Sequence, residues 1–92
     1  MKKVRSVFYD LYSPSEALVM EMKADLLIQI LTTVKDRKLS QKDLQRLLDV
    51  PQPRVSELLN EKITSMSIEK LVGYLQKLGV TTSLSFKKKR AS

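Results

Sequence analysis

The chain has 92 residues, enough for one small domain with a modest core. It contains neither cysteine nor histidine, which excludes a disulfide framework and a Cys/His zinc site. Its 17 Lys/Arg against 10 Asp/Glu give a net charge of +7, and its two glycines, Gly73 and Gly79, cannot form a Gly-rich phosphate loop. Without imidazole or thiol for acid–base or nucleophilic work, an enzyme is not expected, and no cofactor or metal is implied. The carboxylates read as solvated charge on polar helix faces and turns.

The position of the charge matters more than its total. Lys2, Lys3 and Arg5 carry three of the excess charges, and Lys87, Lys88, Lys89 and Arg90 carry four. Between residues 6 and 86, ten Lys/Arg balance ten Asp/Glu. Basic ends suit contacts with phosphates, and they equally suit solubilising tails.

Residues 1–13 begin basic and continue Val7-Phe8-Tyr9-Asp10-Leu11-Tyr12. Three of the five aromatic residues stand here; Tyr74 and Phe86 are the others. The segment has no clear period and reads either as a strand or as a piece that orders on a partner. Ser13-Pro14-Ser15-Glu16 is a helix start, with Ser13 or Ser15 as cap and proline in the first turn. The helix is expected to run to about Arg37. Met20, Ala24, Leu27, Leu31 and Val34 form one apolar stripe, and Leu18, Met22, Leu26 and Ile30 form a second. Two stripes are wider than a small core requires. Either another chain or the folded-back N-terminal segment covers the surplus.

Lys35-Asp36-Arg37-Lys38 closes that helix with positive charge, which suits its carbonyl end. Ser40 caps a second helix over residues 41–48, and Asp49-Val50-Pro51 forms a turn. A third helix spans residues 52–60 with Pro53 in its first turn, followed by a loop over 61–66. Ser67 caps a fourth helix over 68–78, and Gly79 stands where a left-handed terminating residue belongs. Residues 80–86 alternate with β-branched side chains, so a strand is expected there, and 87–92 are expected to be a disordered basic tail. No run of apolar residues exceeds the four at 17–20, too few to span a membrane. Lys2 and Lys3 precede no apolar segment of the signal-peptide kind, so a cytoplasmic protein is expected.

Two short helices joined by a tight turn are the unit that fits one helix into the DNA major groove. Residues 40–62 fit it physically. Leu44, Leu47, Leu48, Val50, Val55, Leu58 and Leu59 face inward, while Gln52, Arg54, Ser56 and Glu57 face out. Gln and Arg supply the paired hydrogen bonds that base edges require. Arg54 has an alternative use, as a surface partner of Glu57 or Glu61.

Ser40-Gln41-Lys42-Asp43-Leu44, followed by Val50-Pro51-Gln52-Pro53-Arg54-Val55-Ser56-Glu57-Leu58-Leu59-Asn60-Glu61-Lys62, resembles the helix-turn-helix of XRE-type (Cro/repressor-like) regulators, and within them the HigA-like antitoxins. The resemblance covers about residues 16–86. It implies an all-α, compact four-helix helix-turn-helix domain over 14–79, with the motif at about 40–60 and a short C-terminal β-strand used in dimerisation. Gln41 matches a position that binds phosphate and buttresses the recognition helix. Gln52 and Arg54 match positions that reach bases or nearby phosphates, and Ser56 a groove-facing one. Asn60 and Lys62 match the loop that clasps the backbone, and Ser40 and Pro53, at the two helix starts, complete the DNA-facing set. Gln45 stands where the family usually has a small residue, and Asp49 where it usually has glycine. Aspartate tolerates the left-handed conformation better than most residues.

Such modules read palindromes as dimers, with half-sites about one turn (~34 Å) apart. The strand would supply the dimer, with Val80, Thr82, Leu84 and Phe86 on one face. The family also implies a small ribonuclease toxin of the RelE/HigB type as partner. Its candidate contacts are Val7, Phe8, Tyr9, Leu11, Tyr12, Leu18 and Met22. The function implied is a bacterial or prophage repressor, nucleoid-associated, that serves as an antitoxin and autoregulates its operon. Two alternatives are a stand-alone phage-type repressor and a helical protein-interaction module without DNA binding. The second draws support from the balanced charge of residues 40–62, where Lys42, Arg46, Arg54 and Lys62 face Asp43, Asp49, Glu57 and Glu61.

Overall fold

The computed structural model describes residues 11–88. Four α-helices lie wholly within the described residues: α1 Pro14–Asp36, α2 Gln41–Leu48, α3 Gln52–Leu59 and α4 Ile68–Lys77, with a 3₁₀ turn at Ile63–Ser65 between α3 and α4. α1 packs along α4, and α2 and α3 pack against each other beneath them.

Three of the four helix starts are capped by a serine side chain. Ser13 caps α1: its Oγ accepts from the Glu16 N–H at 3.4 Å, while its own N–H donates to Glu16 Oε1 at 3.1 Å. Ser40 and Asp43 repeat this reciprocal box on α2, at 3.1 and 2.8 Å. Ser67 caps α4 through the Lys70 N–H at 3.1 Å. α3 has no side-chain cap; it begins on Pro51, with Pro53 in a first turn whose N–H groups need no helical partner.

The helix ends share one geometry. In each, two successive N–H groups turn back onto the last carbonyls. On α1 these are Lys38 N–H to Lys35 O and Leu39 N–H to Val34 O; on α3, Glu61 to Leu58 and Lys62 to Glu57; on α4, Gly79 to Gln76 and Val80 to Leu75. On α2, Asp49 and Val50 both turn back to Gln45 O. The motif demands a left-handed residue, supplied by Lys38 (φ 53°), Asp49 (φ 56°), Glu61 (φ 59°) and Gly79 (φ 87°). Three of the four are not glycine, and Asp49 adopts the conformation expected of it.

The core takes Leu26, Leu27 and Ile30 from α1, Leu44 and Leu48 from α2, Val55 and Leu58 from α3, and Leu71, Tyr74 and Leu75 from α4. Met66 and Leu78 close it, and Leu47, Val50 and Leu59 pack at its margin. The two stripes expected on α1 are divided along the helix. Its C-terminal half is core, whereas Leu18 and Val19 lie exposed in its N-terminal half, on either side of buried Ala17 and Met20.

The expected C-terminal strand is absent: no β-strand occurs among the described residues, which are all-α in their regular structure. Val80 is taken by the end of α4, where its N–H bonds Leu75 O and its side chain packs on the core. Beyond it, residues 81–88 have no ladder partner among the described residues, and an alternating sequence without one does not make a strand. Thr82, Leu84 and Phe86, expected beside Val80 on one dimer-forming face, are exposed, Leu84 at 69% and Phe86 at 88%.

Candidate nucleic-acid interface

α2 and α3 are separated by three residues, Asp49, Val50 and Pro51. Asp49 reverses the chain in the left-handed conformation, half-buried Val50 anchors on the core, and Pro51 is extended (φ −74°, ψ 163°). The reversal sets the first residue of α3 against the first residue of α2. Gln52 Nε2 donates to Gln41 Oε1 at 3.4 Å, and both side chains are exposed. A glutamine amide has two donor hydrogens and a carbonyl that can accept twice. One mutual bond therefore leaves both donors and acceptors pointing outward from the pair.

Arg54 follows two residues later, within the first turn of α3. It is half-buried, with Nη1 3.6 Å from Glu57 Oε1, which settles its surface partner as Glu57. Buried Tyr74 of α4 is near enough to feel both charges. Burial raises its phenol above the ordinary range; the Arg54 charge acts to lower it and that of Glu57 to raise it. Nothing in the motif's spacing marks Tyr74 as its support. Its signal is the stripe Leu71, Tyr74, Leu75, Leu78 on α4, which reads only as core.

The other expected DNA-facing residues do not form one surface of loose donors. Ser56 is half-buried and accepts from Asn60 Nδ2 at 3.2 Å, so these two are bonded to each other. Ser40 is engaged as the α2 cap. Its N–H and hydroxyl, together with the Arg46 charge, hold the Asp43 carboxyl below the ordinary range. Pro53 is exposed in the first turn of α3, and Lys62 is exposed in the loop, with its backbone carbonyl taken by Ser65 Oγ at 2.9 Å. The assembled set is thus Gln41, Gln52 and Arg54, with Lys62 set off in the loop.

Two basic side chains outside the motif tie helix ends together, and one of them reaches the motif itself. Lys77 Nζ, at the end of α4, donates to Leu48 O at 3.0 Å, directly before the turn. Arg37 Nη1 donates to Leu78 O at 2.9 Å and ties the end of α1 to the end of α4. Each places a cation on the carbonyl end of a helix. Reading charge position alone does not find them, because the acceptors lie 29 and 41 residues away.

Of the residues assigned to a protein partner, Val7, Phe8 and Tyr9 lie outside the described residues. Leu11 (70%) and Leu18 (53%) are exposed, whereas Tyr12 and Met22 are half-buried. Tyr12 borders a shallow groove with Val19, Met20 and Lys23.

The family described as "Helix-turn-helix domain" matches residues 7–87. The chain belongs to that family. A solved structure named as an XRE family transcriptional regulator superposes with a TM-score of 0.72 at 28% identity, covering 80% of this chain and 86% of that one. No curated protein matches the sequence. Among the described residues, no helix of this helix-turn-helix protein is long and apolar enough to cross a membrane.

Proposed function

We propose that this helix-turn-helix protein is a sequence-specific DNA-binding transcriptional repressor, and that α3 is its recognition helix. The observation that carries the reading is the Gln41–Gln52 pair at the joined starts of α2 and α3, with Arg54 two residues on. In this reading Gln41 contacts phosphate and holds Gln52 in a fixed pose. Gln52 reads an adenine through its amide, and Arg54 leaves Glu57 for guanine or a flanking phosphate. Ser56 and Asn60 would exchange their mutual bond for groove and backbone contacts, and Lys62 would clasp the next phosphate. Two copies are needed to read a palindrome.

The resemblance to HigA-like proteins extends the proposal to an antitoxin that neutralises a small RelE/HigB-type ribonuclease and represses its own operon. The exposed Leu11 and Leu18 on the N-terminal side of the molecule support a protein partner there. Co-expression with the neighbouring gene tests this part: a stable complex lost on Leu18→Glu supports it, and a monodisperse protein that ignores the neighbour's product refutes it.

The DNA-binding part is tested by fluorescence anisotropy on the duplex upstream of the gene, against a scrambled duplex. Gln52→Ala and Arg54→Ala are each expected to cost about 1–3 kcal/mol on the native duplex and little on the scrambled one. Equal weak binding to both duplexes by the wild type would favour the protein-interaction reading, which the balanced charge of residues 40–62 supports.

A further inference from the structure

The two ion pairs of the motif are built differently. On α2, Asp43 stands in the first turn and Arg46 in the last, so each charge suits its end of the helix. Arg46 Nη2 also lies 3.2 Å from Asp43 Oδ1, within hydrogen-bond range. On α3 the order is reversed. Arg54 stands in the first turn, at the positive end, and Glu57 three residues on, towards the carbonyl end. Acid before base is the better order along a helix, so this pair stands the wrong way round for stability. Its 3.6 Å separation is longer than a hydrogen bond, and 39% and 40% of the two side chains stays exposed. Helix stability therefore does not account for Glu57.

Its position points to another role. With ~3.6 residues per turn, Glu57 lies opposite Val55, Leu58 and Leu59, the residues by which α3 meets the core. Pro53 stands one turn before it and Asn60 one turn after, both exposed. In the DNA-binding reading this is the face that enters the groove, so a carboxylate stands in its middle. An ionised carboxylate only accepts hydrogen bonds. Phosphates repel it, and the acceptors of guanine and thymine leave it without a donor. The cytosine N4 amino group is the donor that suits it. Such a side chain weakens binding to most sequences and is relieved on few. Specificity is that difference of affinities.

We infer that Glu57 is a specificity-determining residue: it holds Arg54 back from the phosphates of unrelated DNA and releases it where a cytosine amino group becomes its new partner. Arg54 then turns to guanine. The inference rests on the DNA-binding reading, but the two fail separately in the experiment. Full-length wild type, Glu57→Gln, Arg54→Ala and the double variant are titrated against the upstream and scrambled duplexes between about 50 and 200 mM salt. Glu57→Gln keeps the shape and removes the charge. It should tighten binding to the scrambled duplex and steepen the slope of log K against log salt there by about 0.9, the value of one phosphate contact. The ratio of upstream to scrambled affinity should fall about tenfold. In the Arg54→Ala background the same substitution should leave the slope unchanged. The melting temperature of Glu57→Gln should not fall, since the pair does not suit the helix. Upstream duplexes with single G·C pairs exchanged for A·T locate the cytosine: one exchange should cost the wild type about tenfold and Glu57→Gln much less. A wild type that prefers the upstream duplex, beside a Glu57→Gln variant with the same ratio and slope, overturns the inference and leaves the DNA-binding reading intact. So does a steeper slope that persists without Arg54, which would make Glu57 a general repulsive charge. So does the lack of any exchange that separates the two proteins, or a lower melting temperature in Glu57→Gln, which would make the pair structural. A wild type without preference between the duplexes fails the sequence-specific reading itself, and the inference with it.

Discussion

Glu61→Gly is expected to stabilise the protein. Glu61 terminates α3 in the left-handed conformation, at φ 59°. That conformation costs an L-residue about 1–2 kcal/mol, of which glycine gives back about 0.5–1 through its freedom in the unfolded chain. Glu61 also sets a negative charge at the negative end of the helix, so its removal adds a few tenths of a kcal/mol more. The sum is about 1 kcal/mol, or about 4–8 °C in melting temperature for a domain of this size. The same substitution at Lys38 relieves the same backbone conformation but removes a favourable charge from the end of α1, so the two terms nearly cancel. Asp49→Gly falls between, because aspartate tolerates the left-handed region. Gly79→Ala runs the argument backwards: a methyl group there meets nothing within 4 Å, so a loss of about 1 kcal/mol would reflect φ alone. Thermal melts by far-ultraviolet circular dichroism, at low and high salt, rank the four variants. An unchanged or lower melting temperature for Glu61→Gly, or a larger gain for Lys38→Gly than for Glu61→Gly, would refute the reasoning.

Acid is expected to loosen the starts of α1 and α2. Ser13 holds the Glu16 carboxyl low, chiefly through its hydroxyl, and Ser40 does the same to Asp43, chiefly through its backbone N–H. Both folded-state pKa values are depressed, so the contribution is complete above the ordinary carboxylate range of about 4 and is lost as pH falls below it. Melting temperature should drop over that window, and less steeply in Glu16→Gln/Asp43→Asn; parallel profiles would exclude the boxes as the cause. Leu71→Ala removes a fully buried side chain and should cost about 2–5 kcal/mol in urea unfolding; a loss below about 1 would mean the core closes over the gap. Lys77→Met keeps most of the stem but loses the bond to Leu48 O, so about 1 kcal/mol of stability and some upstream-duplex affinity should go together. Stability lost without any change in affinity would show that Lys77 does not hold the turn.

The positions of the four helices were legible because their signals are local. Ser13 with Glu16, Ser40 with Asp43, and Ser67 each bond within three residues, and the observed starts follow them. The segment over 80–86 was misread because its pattern is local while a strand is not. Alternation offers two faces, but the ladder needs a second strand, and the first residue of the pattern was already committed to ending α4. The division of α1 was hidden for a similar reason. Leu18 and Leu26 stand on one stripe, yet one is exposed at 53% and the other buried at 9%. Periodicity fixes which way a side chain points along a helix, not how far along it the neighbouring helices extend.

The candidate site follows the same division. Spacing alone put Gln52 and Arg54 on the outer face of α3, and the resemblance added Gln41 as their buttress. Spacing could not show that Ser56 and Asn60 bond to each other, or that the Tyr74 phenol feels the Arg54 charge, since those are questions of partner rather than face. The meeting of Gln41 and Gln52 depends on one backbone angle between them. Asp49 at φ 56° lets Val50 bond back to Gln45 O and pack on the core, which leaves only Pro51 before α3 must begin. Three residues reverse the chain only if one of them is left-handed. Aspartate, the non-glycine residue here best suited to that conformation, therefore does more for the site than its exposed side chain suggests: it brings together two amides eleven positions apart.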